Sequence, residues 1–167
     1  MDTSDRHAAV AARLAARPRP WRRRLTVDRH IPAGGMPGGL KLALAAEILA
    51  GYVTARRLMP RHDIRDVVPA MRPPGAPAAN GREPETTLIA KRLGYAVTRT
   101  LRLLPTDSRC LVQALVLSRL LSDRGIDSTL VIGARSAPEF AAHAWVEHAG
   151  QPVLSPAGFD ESRLVEL

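Results

Sequence analysis

The first two-thirds of the chain shows the spacing of apolar residues that is typical of helices. An apolar run with few charges extends from 40 to 59 and stops at Pro60, which predicts one long helix. A short amphipathic helix is predicted within 61–72, and its apolar side consists of Ile64, Val67, Val68 and Met71. A third helix is predicted within 85–104, where leucine, isoleucine, valine and alanine recur at helical spacing.

A fourth helix is predicted from about 109 to 124, within an apolar stretch that contains the only cysteine of the chain. Thr106, Asp107 or Ser108 can each act as its N-cap, because a side-chain oxygen at that position accepts a hydrogen bond from the first turn. Gly125 is expected to end it, because glycine adopts the left-handed backbone conformation found just after many helices.

The pattern changes to extended structure after this helix. The stretch 128–135 is apolar and β-branched, and 143–148 is joined to 151–154 by the dipeptide Ala149-Gly150, which is typical of a hairpin turn. The sequence therefore predicts an α+β fold, in which a helical N-terminal two-thirds packs on a small C-terminal antiparallel sheet.

Length and charge indicate one domain preceded by a basic arm. The chain of 167 residues is sufficient for a single compact core, which we assign to 31–167. Residues 1–30 contain eight arginines and three aspartates, so this arm, expected to be flexible, carries most of the net charge of +8. It has one aromatic residue and no motif that would enter a nucleic-acid groove, and we expect no nucleic-acid function. The stretch 73–84, rich in proline and alanine, predicts a surface loop.

The compartment is expected to be the cytoplasm. A single cysteine forms no internal disulfide, and no N-terminal segment has the pattern of a secretory signal. Four charged residues interrupt the apolar run 40–59, which predicts a core helix without membrane insertion. These residues are Lys41, Glu47, Arg56 and Arg57.

Cys110 is placed where a nucleophile would be useful. In the first turn of a helix, unpaired backbone N–H groups and the positive end of the helix dipole favour an anion such as a thiolate. A cysteine in an apolar helix is also commonly a small core residue, so position alone leaves both roles open.

His143 is the histidine best placed to act as the base. It begins a predicted strand 33 residues after Cys110, and a helix start can meet a strand start at the same edge of a helix–sheet layer. An imidazole there could accept the thiol proton and later protonate a leaving amine. The other histidines, His7, His30, His62 and His148, are expected to be solvated.

The residues around this pair carry a family resemblance. The segment "RCLVQALVLSRLLSDRGIDSTLVIGAR" followed by "HAWVEHAGQPVL" resembles the transglutaminase-like cysteine peptidases, with their papain-like core, and in particular the lasso-peptide B2 proteins. The resemblance extends over 31–167 and implies that Cys110 is the nucleophile and His143 its base. It implies removal of the leader from a ribosomally made precursor peptide. Implied partners are that leader, a separate RiPP recognition element protein and the ATP-dependent lasso cyclase.

The third member of the site is open. Relatives often carry an aspartate about twelve residues after the histidine, and this chain has Ser155 there, while Asp160 could fold back from the C-terminal segment. Glu147 does not substitute easily, since four residues of strand span about 13 Å. The enzyme can also operate as a dyad.

Two further side chains and the backbone have candidate roles near the reacting atoms. Trp145 either walls the substrate groove or packs in the core, with packing favoured, and Gln113 either contacts an oxyanion or interrupts the apolar helix. The backbone N–H of Cys110 is the simpler oxyanion donor. No metal or phosphate motif is present in the sequence, so no cofactor is expected.

Two competing functions remain. The same nucleophile could transfer an acyl group to an amine, as transglutaminases do. Alternatively, Cys110 and His143 could be core residues of a binding module without enzymatic activity, whose basic arm contacts an acidic partner or nucleic acid.

Overall fold

The computed structural model describes residues 37–72, 83–104, 110–135, 141–154 and 162–167. These residues form four helices followed by four strands, as the α+β prediction requires. The elements are α1 (Gly38–Leu58), α2 (Ile64–Met71), α3 (Glu83–Leu101), α4 (Cys110–Asp123), β1 (Thr129–Arg135), β2 (Ala141–His148), β3 (Gln151–Leu154) and β4 (Ser162–Glu166). The basic arm 1–30 lies outside the described residues, so its flexibility and the domain boundary stay predictions.

Local signals set the ends of several helices. Asp63 precedes α2, and its side chain accepts a hydrogen bond from the backbone N–H of Arg65 at 2.9 Å. At the other end of the helical region, Gly125 has a φ of 69°. The N–H groups of Gly125 and Ile126 reach back to the carbonyls of Ser122 and Leu121 at 3.0 Å each, which is the Schellman arrangement. The predicted stop of α4 is therefore confirmed.

The strands form one antiparallel sheet in the order β3-β2-β1-β4. Ala149 and Gly150 connect β2 to β3 with φ values of 50° and 71°, so the predicted hairpin turn is confirmed. The edge strand β4 was missed in the sequence. It is held beside β1 partly by two backbone hydrogen bonds of 2.8 Å between Leu130 and Leu167.

Helix α4 lies at the centre of the packing. Nine of its 14 residues are buried, and it contacts α1, α2, α3, β1 and β2. Its apolar side chains join those of the other helices and the inner side of the sheet in one hydrophobic cluster. Arg72, just after α2, ties this core to the C-terminus, since its guanidinium donates to the Ser118 hydroxyl at 2.8 Å and to the Leu167 carbonyl at 3.0 Å. Burial lowers the pKa of Arg72, and the nearby Asp127 carboxylate opposes that shift.

Helix α1 is apolar along most of its length but carries a buried ion pair. The Glu47 carboxylate accepts two hydrogen bonds from the Arg124 guanidinium, at 2.9 and 3.2 Å, and both residues are 4% exposed. Leu42, Leu49 and Val53 lie exposed on the outer side of the helix. Among the described residues, α1 alone is long and apolar enough to cross a membrane, a criterion that core helices of soluble proteins also meet. Its buried side packs against the protein core.

Two glycines in these helices should respond differently to a methyl group. A Cβ at Gly51 of α1 would meet Val116 Cγ1 at 3.4 Å, whereas a Cβ at Gly94 of α3 would lie 3.1 Å from the backbone oxygen of Val153. We expect Gly51→Ala to raise the free energy of unfolding by up to about 1 kcal/mol through helix propensity. Gly94→Ala is expected to lower it by about 1 kcal/mol, because β3 must move. Urea denaturation of both variants checks this, and a Gly94→Ala protein at least as stable as Gly51→Ala would contradict it.

Candidate active site

Cys110 is the first residue of α4 within the described part of the chain. It is half-buried, packs against the edge of the hydrophobic cluster and is not in a disulfide. The prediction that Cys110 stands in the first turn, where unpaired N–H groups favour an anion, depends on residues 105–109, which the structure does not describe. The proposed N-cap residues Thr106, Asp107 and Ser108 lie outside the described residues.

His143 lies in the predicted strand, but it is the third residue of β2 and not the first, because the strand already includes Ala141 and Ala142. It is half-buried and pairs with Gly133, near the end of β1. Only five residues separate α4 from β1, and the two elements pack together, so the chain reverses between them. The start of α4 and the end of β1 consequently lie toward the same end of the layer. The fold brings the backbones of Cys110 and His143 to that end.

The two faces of β2 carry different groups. Side chains alternate along a strand, so His143, Trp145 and Glu147 share one face. The opposite face carries Ala144 and Val146, which belong to the hydrophobic cluster formed with the helices. The imidazole of His143 thus extends from the face opposite to that cluster. The meeting of the thiol and the imidazole stays a prediction.

On the His143 face, each of the three residues contacts the next one along the strand. The His143 and Trp145 rings are stacked, with centroids 6.1 Å apart and planes inclined by 12°. The Trp145 indole N–H donates to the Glu147 carboxylate at 2.9 Å. Trp145 is 8% exposed and Glu147 7% exposed, so this hydrogen bond is shielded from water. Of the two roles considered for Trp145, packing is the one that its burial supports.

Reasoning from the sequence alone did not connect Glu147 to the site. That it does not replace the missing aspartate beside His143, argued from its distance along the strand, stays a prediction. The contact through Trp145 was not anticipated, although the spacing of two between the three residues was the available signal. Ser155 and Asp160, the candidates for a third catalytic residue, lie outside the described residues.

The expectation that His148 is solvated was wrong. His148 is 6% exposed. Its Nδ1–H donates to the Asp127 carbonyl at 2.7 Å, and its Nε2 lies 3.0 Å from the Thr86 hydroxyl and 3.6 Å from the Glu83 carboxylate. The side chain faces α3 because it shares the helix-facing side of β2 with Val146. It ties the hairpin to α3 rather than facing solvent.

Two further predictions concern Gln113 and metal binding. Gln113 is half-buried one turn after Cys110, and its contact with an oxyanion stays a prediction. The described ranges contain no group of three or more histidine, cysteine, aspartate or glutamate residues that could hold a metal ion. The groups that could do chemistry here are therefore a thiol at a helix start, an imidazole at a strand start and backbone N–H donors.

Comparison with known proteins identifies the family. A family model for the transglutaminase-like superfamily matches residues 44–163. The chain belongs to this superfamily. The matched region includes α4, the strands β1 to β3 and both Cys110 and His143.

A curated relative has a more specific description. The chain is 48% identical over 46 residues to the Microcin J25-processing protein McjB of Escherichia coli. That segment is 28% of this chain and 22% of the relative, so the similarity extends over about a fifth of the relative's length. No solved structure matches the chain.

Proposed function

We propose that this transglutaminase-like protein is a cysteine peptidase that removes the leader from a ribosomally made lasso-peptide precursor. The observation that carries the proposal is the position of Cys110 as the first described residue of α4, within a region that belongs to the transglutaminase-like superfamily. The partial similarity to a microcin-processing protein supports a role in peptide maturation. The resemblance of the Cys110 and His143 segments to lasso-peptide B2 proteins supports leader removal.

The proposed chemistry uses two residues and one water molecule. The Cys110 thiolate adds to the carbonyl carbon at the leader–core junction, and the backbone N–H groups at the start of α4 stabilise the oxyanion. The C–N bond then breaks as the His143 imidazolium donates its proton to the departing amine. Water, activated by the neutral imidazole, hydrolyses the thioester. The products are a leader with a free carboxylate and a core peptide with a free amine.

The reaction implies partners and a compartment. We propose that a separate recognition element binds the leader, because residues 1–39 are too rich in arginine and proline to form that module. The released amine is a substrate for an ATP-dependent cyclase, which is the next proposed partner. We place the protein in the cytoplasm, with these partners.

The mass of the reaction product tests the proposal. This protein, either untreated or alkylated beforehand with iodoacetamide, is incubated with a cognate precursor and its recognition element. We expect two fragments whose masses add to the precursor plus one water, and we expect alkylation to suppress them. Because the chain has one cysteine, suppression is assigned to Cys110.

Other products would redirect the assignment. A crosslinked product or loss of ammonia would replace hydrolysis by acyl transfer. Cleavage that alkylation leaves unchanged would overturn the thiol mechanism. An intact precursor, combined with salt-sensitive binding that requires residues 1–30, would favour the binding module.

A further inference from the structure

We propose that Trp145 and Glu147 are positioning residues that orient the His143 imidazole. This inference rests on the proposed function, since it assigns two supports to the base of that reaction. It differs from the usual arrangement in which a carboxylate contacts the imidazole directly. Here the Glu147 carboxylate accepts a hydrogen bond from the Trp145 indole, and the indole stacks on the His143 imidazole.

The hydrogen bond between Trp145 and Glu147 restricts the indole. The 2.9 Å contact from Nε1–H to the carboxylate lies between two residues that are less than a tenth exposed. A hydrogen bond to a charged acceptor is stronger than a neutral one, and burial reduces competition from water. Rotation of the indole about its side-chain bonds would break this contact and leave the buried carboxylate with one donor fewer.

The fixed indole in turn restricts His143. Two rings inclined by only 12° with centroids 6.1 Å apart lie within the range of favourable aromatic pairs. Rotation of the imidazole out of this plane would lose the stack, so one ring orientation is preferred. A base held in one orientation loses less freedom when it reaches the transition state, which is the benefit of preorganisation.

The register of the strand explains why this arrangement uses a tryptophan. His143 and Glu147 are separated by about 13 Å of strand, and the residue midway between them on the same face must bridge that distance. Indole is the largest aromatic side chain and carries one N–H donor at its edge. Phenylalanine would retain an aromatic ring for the stack but has no donor for the carboxylate.

The orientation of His143 can be measured without any substrate. In full-length protein labelled at histidine, the His143 ring resonances are assigned by their loss in His143→Gln. We expect Trp145→Leu to move the His143 ring protons downfield, because the ring current of the stacked indole is removed. Glu147→Leu should move the same resonances, whereas Glu147→Gln, which retains an oxygen acceptor, should leave them near their wild-type positions.

A matched control separates positioning from loss of stability. Val146→Ala removes buried volume from the opposite face of the same strand and should leave the His143 resonances in place. Unchanged His143 resonances in Trp145→Leu would overturn the proposal. So would equal shifts in Glu147→Gln and Glu147→Leu. Should Trp145→Leu fail to fold, Trp145→Phe replaces it, and we expect it to move the His143 resonances, because the phenyl ring has no N–H to bond Glu147 and a smaller ring current than indole.

The kinetic effect is a second measurement. Where cleavage is observed, we expect Glu147→Leu to lower kcat by about 10- to 100-fold with KM nearly unchanged, and Glu147→Gln to restore most of it. In a protein that already carries His143→Ala, Glu147→Leu should not lower kcat any further. An equal further loss in that background would overturn a role through His143. If no cleavage occurs, the proposed function fails while the resonances still decide the positioning.

Discussion

Replacement of Cys110 by alanine is expected to abolish precursor cleavage, with the single-turnover rate constant lowered on the order of 10⁴-fold or more. The reason is that the thioester cannot form without the sulfur, and removal of a nucleophile costs nearly all of the catalysis that it makes possible. Cys110→Ser should be almost as inactive, because a serine hydroxyl is far less ionised than a thiol at the same position. Cleavage is measured by single-turnover mass spectrometry with excess enzyme.

Two controls are needed to interpret this loss of cleavage. The variant must be folded, and its effect must be compared with that of removing the base His143. Cys110 is half-buried and alanine is only slightly smaller, so the circular dichroism spectrum and the thermal midpoint should change little. Ser122→Ala, in the last turn of α4, provides a matched control and should retain activity. His143→Ala should cost about 10²- to 10⁴-fold, and adding it to Cys110→Ala should cost nothing more. If Cys110→Ala still cleaves the precursor, Cys110 is not the nucleophile.

Removal of one partner from the buried ion pair between Glu47 of α1 and Arg124, just after α4, is expected to have the largest effect on stability. Glu47→Ala leaves the Arg124 guanidinium, 4% exposed, without its carboxylate. An uncompensated buried charge of this kind costs about 3–5 kcal/mol. Urea denaturation should show a correspondingly lower midpoint with an unchanged slope, because the size of the folded core is retained.

The double replacement distinguishes a buried charge from lost packing. Glu47→Met combined with Arg124→Met removes both charges and keeps apolar volume, so it should be considerably more stable than Glu47→Ala. Arg56→Ala, at an exposed position on α1, should change stability by less than about 0.5 kcal/mol. A double variant less stable than the single one would show that the pair itself stabilises the fold.

Much of the secondary structure could be predicted because its signals are local. The capping side chain of Asp63, the left-handed Gly125 and the turn at Ala149-Gly150 each act within a few residues of the element that they end or join. The helical spacing of apolar residues predicted the buried side of α2, where Val67, Val68 and Met71 are buried, whereas Leu88, counted among the apolar positions of α3, is exposed. Errors at helix ends were small, as for α3, which begins at Glu83 rather than near Glu85.

The candidate site could be predicted only in part. The position of Cys110 at a helix start follows from local patterns, and so does the position of His143 near the start of a strand. Their approach to the same end of the layer depends on the register that pairs His143 with Gly133, which is a long-range property. The support of His143 by Trp145 depends on side-chain orientations that a strand pattern does not specify.

The sequence by itself determined the order of the four helices and the first three strands, the buried side of α2 and the residues able to carry out chemistry, because these depend on neighbours along the chain. The tertiary structure decided which distant groups meet. The bonds between Leu130 and Leu167, the ion pair of Glu47 and the burial of His148 all join parts of the chain that are far apart in sequence. Such contacts follow from how the layers pack, since each pair satisfies buried polar groups that water no longer reaches.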